Sequence, residues 1–232
     1  MKAIILAGGK GTRLAEHTKL VPKPMVKIRN KPIIVYIIEH FFKYGVKEII
    51  IASGYKHNII KDYFKNKKIP NGASIKVINT GLSSLTGQRI RKLKKYFSKD
   101  EVFFVTYGDG VSNINLNKLL KFHSKNKKTA TLTAVHPPAR FGELKLSGSK
   151  LIKFDEKPQL TNGWINGGFF VFNSKIFNFL GKQNEMLERE PVQRLIKKKD
   201  FSAFKHHGFW MCMDTSRDKN VLEKVLNSNI LK

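Results

Sequence analysis

Three glycines, a threonine and an arginine in Gly8-Gly9-Lys10-Gly11-Thr12-Arg13 follow directly on the apolar run Ala3–Ala7. Glycine lets backbone N–H groups approach an anion closely, a threonine hydroxyl adds a donor, and the arginine fork matches phosphate oxygens. The spacing is neither that of the P-loop nor that of the dinucleotide fingerprint. A phosphate site of another kind remains, beside the plain alternative of a tight turn that needs glycine. In Pro22-Lys23-Pro24-Met25 two prolines fix the backbone on either side of one lysine. A lysine held this way has lost freedom beforehand, which favours contact with a phosphate over a mobile surface role.

Carboxylates come next. Tyr107-Gly108-Asp109-Gly110 places one after the apolar run Val102–Thr106, and Asp214 follows the run Phe209–Met213. Magnesium takes few carboxylates and keeps its other positions for water and substrate phosphate. Two carboxylates converging from separate strands therefore suit one bridging metal or a metal pair. Taken alone, Asp109 reads equally as an Asp-Gly turn. Further on, Phe154-Asp155-Glu156-Lys157-Pro158 precedes Trp164-Ile165-Asn166-Gly167-Gly168. Glu156 and Asn166 can hydrogen-bond sugar hydroxyls while Lys157 pairs with a phosphate, and a charged hairpin turn fits the same residues.

Such residues act only if elements bring them together. Short apolar runs at Ala3–Ala7, Glu48–Ser53, Ile75–Asn79, Val102–Thr106 and Thr129–Val135 read as strands. Stretches near 32–44, 57–65, 87–97 and 116–126 read as helices. Strands alternating with helices predict an α/β fold, a mostly parallel central sheet covered by helices on both faces. In such sheets ligands sit beyond the carboxyl ends of the strands, where the glycine-rich segment and Asp109 fall. After Pro137-Pro138 the rhythm changes to shorter extended pieces at 142–146, 151–154 and 169–172. Helical stretches near 174–180 and 188–198, a strand pair at 201–204 and 209–213, and a closing helix at about 216–227 complete the chain. No internal repeat divides it, so one domain over 1–232 is expected, with a nucleotide-type half to about 136 and a ligand-specific half from about 137.

The chain has 232 residues and a formal net charge of +27. That balance first suggests a polyanion partner. The lysines are scattered in short clusters such as Lys65–Lys68 and Lys197–Lys199, with no arginine-rich arm, which disfavours nucleic acid as the partner. No apolar stretch is long enough for a membrane span, and the amino-terminal apolar run is too short for a secretory signal. A single cysteine, Cys212, excludes an internal disulfide. A cytoplasmic protein without membrane attachment is the expectation.

The order of motifs is that of a known family. The segment from Ala3 to Leu14, with Leu6, Ala7, Gly8, Gly9, Gly11, Thr12 and Arg13, followed by Pro22-Lys23-Pro24-Met25, resembles the signature of sugar-1-phosphate nucleotidylyltransferases. Later landmarks resemble the cytidylyltransferases acting on glucose 1-phosphate. They are Thr106–Val111, Pro137–Gly142, Glu156-Lys157-Pro158, Ile165–Val171, Glu190-Pro191 and Phe209–Thr215. The resemblance spans Met1 to about Glu223 and implies a Rossmann-like nucleotidyltransferase fold, with CTP and a sugar 1-phosphate as substrates and Mg²⁺ as cofactor. It places the nucleotide on Leu6, Ala7, Gly8, Gly9, Gly11, Thr12, Arg13, Lys23, Ser84, Arg89 and Gly108. The sugar phosphate falls to Glu156, Lys157 and Asn166, the metal to Asp109 and Asp214, and catalysis to Arg13, Lys23, Asp109 and Lys157. The same fold with another base or sugar, and a non-catalytic sugar-nucleotide binder, are the rivals; assembly as a homo-oligomer stays open. Two departures stand out: the stretch between Phe64 and Thr80 is short for the cytidylyl enzymes, and Val21 stands where a lysine is common.

Overall fold

The apolar runs form strands and the stretches with helical spacing form helices, as their periods require. The computed structural model describes residues 1–137, 143–155 and 163–226. In chain order the elements are β1 (Lys2–Ala7), α1 (Ala15–Thr18), β2 (Lys27–Ile28), β3 (Lys31–Pro32), α2 (Ile33–Lys43), β4 (Glu48–Ser53), α3 (His57–Lys65), β5 (Ser74–Asn79), α4 (Thr86–Lys92), β6 (Val102–Tyr107), β7 (Gly110–Ser112), α5 (Leu116–Asn126) and β8 (Ala130–Val135). The second half adds β9 (Glu143–Ser147), β10 (Lys150–Asp155), β11 (Ile165–Asn173), α6 (Glu190–Lys197), β12 (Phe201–His206), β13 (Trp210–Cys212) and α7 (Ser216–Val225).

The central sheet has seven strands in the order β12-β8-β11-β6-β1-β4-β5. All pairings are parallel except those of β11, which runs antiparallel to both β6 and β8. Because successive strand residues face opposite sides, Ile5, Ile49 and Phe104 pack with Phe41 of α2, Ile60 of α3 and Leu119 of α5. Their neighbours Ile4, Ile50 and Phe103 pack on the other face with Ile90 of α4 and Leu195 of α6. Helices thus cover both faces, as expected. The connection between α3 and β5 is the short one read from the sequence, closed by a turn in which Ala73 N–H donates to Pro70 O.

Four expectations need correction. The runs 201–204 and 209–213 do not pair with each other: β12 lies parallel to β8 at the sheet edge, while β13 pairs antiparallel with β7. The helix expected over 87–97 ends at Lys92 and continues only as a 3-10 turn at Lys94–Tyr96, and 174–180 is likewise a 3-10 turn, Ser174–Asn178. Last, the strand expected at 169–172 starts at Ile165, with an irregularity between Asn166 and Phe170. The glycines that hid this extension have a steric reason. Gly168 adopts φ +82°, and a Cβ there would fall 2.5 Å from the Tyr107 ring.

One buried group ties stability to pH. His40 of α2 donates from Nε2 to Ile114 O at 2.9 Å and packs edge-on against Tyr44 and Phe169. Burial pushes its pKa down to about 4, below the ordinary 6.5 or so. Between these two values the unfolded chain binds a proton that the folded one refuses. Stability is therefore complete above the unfolded pKa and falls as pH drops toward the folded one, by up to about 3 kcal/mol. Burial lowers His123 and His206 in the same direction. The urea midpoint is expected to fall between pH 7 and pH 4.5 more steeply in the wild type than in His40→Gln, which keeps a donor for Ile114; parallel curves would contradict this origin.

Candidate active site

The glycine-rich segment leaves β1 at the carboxyl edge of the sheet and enters a 3-10 turn at Thr12–Leu14, closed by Leu14 N–H donating to Gly11 O. Residues Leu6, Ala7, Gly8, Gly9, Gly11, Thr12 and Arg13 line a cavity of about 340 Å³ together with Lys23, Ser84, Arg89, Gly108 and Asp109. A second cavity of about 260 Å³ is lined by Asn166, Gly167, Trp210, Cys212 and Asp214 and shares Arg13, Tyr107 and Asp109 with the first. The residues expected to hold a nucleotide thus surround one space, and Asn166 faces the adjoining one. Glu156 and Lys157 lie outside the described residues.

Where the cavities adjoin, four charged groups meet. Lys23 sits in the 3-10 turn Lys23–Met25, entered from the extended Pro22 and nearly buried at 9% exposure. Its Nζ lies 2.6 Å from Asp109 Oδ2 and 2.6 Å from Asp214 Oδ1, and Arg13 reaches Asp214 Oδ2 at 2.8 Å. The small sheet of β7 and β13 makes this convergence. Cys212 pairs with Gly110, and Met213 N–H donates to Asp109 O at 2.9 Å, so the next residues bring both carboxylates to one point. Asp214 is held further by the start of α7. Its N–H donates to Asp218 Oδ2, and Thr215 and Asp218 close a capping box.

Charge follows geometry here. Burial alone would lower the Lys23 pKa, but Asp109 and Asp214 outweigh it and hold the ammonium above its ordinary value. Burial alone would raise Asp214, and Lys23 and Arg13 reverse that. Burial, with Asp214 and Asp109 beside it, pushes the Cys212 thiol up to about 12, so it is no nucleophile at neutral pH.

Two carboxylates with oxygens on one cation position form a donor set that fits a small divalent ion. Among the described residues no group of three or more His, Cys, Asp or Glu could hold a metal. An ion here would need water and substrate phosphate to fill its shell, the condition magnesium prefers.

Ser84 and Arg89 line the larger cavity with the Ser84 hydroxyl and both terminal nitrogens of Arg89 already engaged. Ser84 Oγ donates to Thr80 O and accepts from Lys92 Nζ. The Arg89 guanidinium, 4% exposed, donates to Ser53 O, Thr80 Oγ1, Gly81 O and Gly8 O at 2.7–3.1 Å. It ties the ends of β1, β4 and β5 together, and its hydrogen-bond partners among the described residues include no carboxylate. A Cβ on Gly8 would fall 2.1 Å from this guanidinium, which is why the segment carries glycine there. Arg89→Met should strand several buried carbonyls and lower stability by about 3 kcal/mol. Urea unfolding checks it; an unchanged midpoint would refute the clamp.

Residues to which the motifs gave no role complete the wall. Tyr107 stands between the cavities, its hydroxyl donating to Glu188 and accepting from Asn166 Nδ2 at 3.1 Å. Trp210 Nε1 donates to Gly167 O at 2.7 Å. Glu188 stands two residues before the Glu190-Pro191 landmark, which assigned it no role.

Known proteins resemble this chain in sequence and fold. The nucleotidyl transferase family model matches residues 2–215. A glucose-1-phosphate cytidylyltransferase from Salmonella typhi is 40% identical over 243 aligned residues, covering 96% of this chain and 95% of its own length. A D-glycero-alpha-D-manno-heptose 1-phosphate guanylyltransferase from Campylobacter jejuni is 37% identical, covering 85% of this chain and 87% of its own. The crystal structure of a UDP-glucose pyrophosphorylase complexed with UDP-glucose superposes with a TM-score of 0.75 over 98% of both chains, and at 18% identity it shows the shared fold alone.

Proposed function

The chain belongs to the nucleotidyl transferase family, an enzyme family that transfers nucleotides to sugar 1-phosphates, and from that premise we propose that it transfers the cytidylyl group of CTP to glucose 1-phosphate, giving CDP-glucose and pyrophosphate. The observation that carries this reading is the meeting of Lys23, Arg13, Asp109 and Asp214 where the two cavities adjoin.

A phosphate oxygen of the sugar attacks the α-phosphorus of CTP, the new oxygen–phosphorus bond forms as the bond to the β-phosphate breaks, and pyrophosphate leaves with the electron pair. A sugar phosphate is already a nucleophile at neutral pH, so the protein supplies alignment and positive charge rather than a base. The backbone from Gly8 to Thr12 and the guanidinium of Arg13 bind the triphosphate. Lys23 exchanges its carboxylate partners for phosphate oxygens at the reacting centre, Lys157 takes the sugar phosphate, and Glu156 and Asn166 orient the hexose. Asp109 and Asp214 would hold a magnesium ion, which when bound would supply positive charge against the phosphates. Residues to about 136 serve the nucleotide and those from about 137 the sugar phosphate, on one shared sheet.

Competition tests the specificity. With CTP, UTP, dTTP and GTP at equal concentration and glucose 1-phosphate in excess, CDP-glucose should dominate the products by mass. A dominant UDP-, dTDP- or GDP-sugar would move the specificity, whereas no sugar nucleotide at all would favour a non-catalytic binder.

A further inference from the structure

The two cavities are joined by one chain of hydrogen bonds whose direction is forced. Tyr107 donates its hydroxyl to Glu188 Oε1, and Thr86 Oγ1 donates to Oε2 at 2.6 Å. A carboxylate has no hydrogen to give, so the single phenol hydrogen goes to Glu188 and the Tyr107 oxygen is left as an acceptor. Asn166 must then present its NH₂ to Tyr107, which it does at 3.1 Å. Independently, Gly168 N–H, which can only donate, points at Asn166 Oδ1 at 2.9 Å. Both ends of the Asn166 amide are therefore fixed the same way round. Among the described residues, what remains free on this side chain lining the smaller cavity is one N–H and one carbonyl lone pair.

We propose that Glu188 is a positioning residue that, acting through Tyr107 and together with the Gly168 N–H, sets the orientation of the Asn166 amide, and that the donor and acceptor thus displayed select a sugar 1-phosphate with two adjacent hydroxyls. Adjacent hydroxyls fit because one accepts from Nδ2–H while its neighbour donates to Oδ1. Without Glu188 the phenol hydrogen is free to turn toward Asn166, and the Gly168 N–H is left as the only one of these two constraints on the amide, so the display is held less firmly. Glu188 contacts Thr86, which lines the nucleotide cavity, so the chain also spans the two substrates. The inference rests on the sugar-phosphate reading of the smaller cavity.

Calorimetric titration of glucose 1-phosphate into the full-length protein with magnesium and a non-hydrolysable CTP analogue tests it, with turnover measured in parallel. Glu188→Ala and Tyr107→Phe should each weaken sugar-phosphate binding about tenfold. Analogue binding should stay within about twofold, and the double variant should bind no worse than either single one. Glu188→Gln should retain most of the affinity, its carbonyl accepting from Tyr107 and its NH₂ facing Thr86. Wild-type sugar binding in Glu188→Ala, equal loss of both ligands, or additive losses would overturn the proposal. A wild type that binds both ligands and makes no product would overturn the transferase reading alone, because the Glu188 effect is read from binding; a wild type that does not bind glucose 1-phosphate overturns both.

Discussion

Replacing Lys23 with alanine should lower turnover about a hundredfold or more while the protein still folds. A preorganised cation aimed at charge that develops in the transition state is worth about 2.7–4 kcal/mol, and Lys23 is as preorganised as the chain allows. Two prolines fix its backbone, its side chain is 11% exposed, and two carboxylates hold its ammonium at 2.6 Å. Exchange of those carboxylates for phosphate oxygens costs the protein no reorganisation of the backbone. In the variant Asp214 keeps Arg13 at 2.8 Å, so one of the two carboxylates stays paired. The measurement is kcat against a melting temperature taken on the same sample. Turnover near that of the wild type, with an unchanged melting temperature, would remove Lys23 from the mechanism.

The second large effect is expected from Asp109→Asn. Asparagine keeps the volume, and the backbone carbonyl that accepts from Met213 stays in place, so the β7–β13 register that brings Asp214 near is preserved. Only the charge is lost. Turnover should again fall about a hundredfold or more, and the magnesium concentration needed for half-maximal rate should rise, whereas Lys23→Ala should leave that concentration nearer its wild-type value. Because both groups act on one centre, the double variant should be far less impaired than the product of the single losses predicts. A wild-type magnesium dependence in Asp109→Asn would show that this carboxylate does not hold the ion.

Local patterns carried much of this site into view. Glycine spacing after β1, the proline-bounded Lys23 and the Asp109 segment are readable because each is a short-range device: a turn, a rigid dipeptide, a strand end. They line one cavity because parallel strands deliver their carboxyl ends to the same edge. Long-range pairing was harder to read. Nothing within residues 201–213 says that β12 joins β8 while β13 crosses to β7, since both runs are apolar and either pairing buries them. Glu188 escaped notice for the same reason: a glutamate on a polar stretch is defined only by the Tyr107 and Thr86 hydroxyls that reach it. Arg89 and Ser84 were expected near a nucleotide from the family resemblance alone, and most of their partners are backbone carbonyls, which sequence does not advertise.

The most direct test of the account follows the oxygens. Glucose 1-phosphate labelled with heavy oxygen throughout its phosphate is incubated with CTP, magnesium and purified protein, and the products are weighed by mass spectrometry. The account predicts pyrophosphate release only when all three are present, one pyrophosphate per CDP-glucose, with the whole label in CDP-glucose and none in pyrophosphate. Label in the pyrophosphate, or CTP breakdown that does not need the sugar phosphate, would contradict attack by the sugar phosphate on the α-phosphorus.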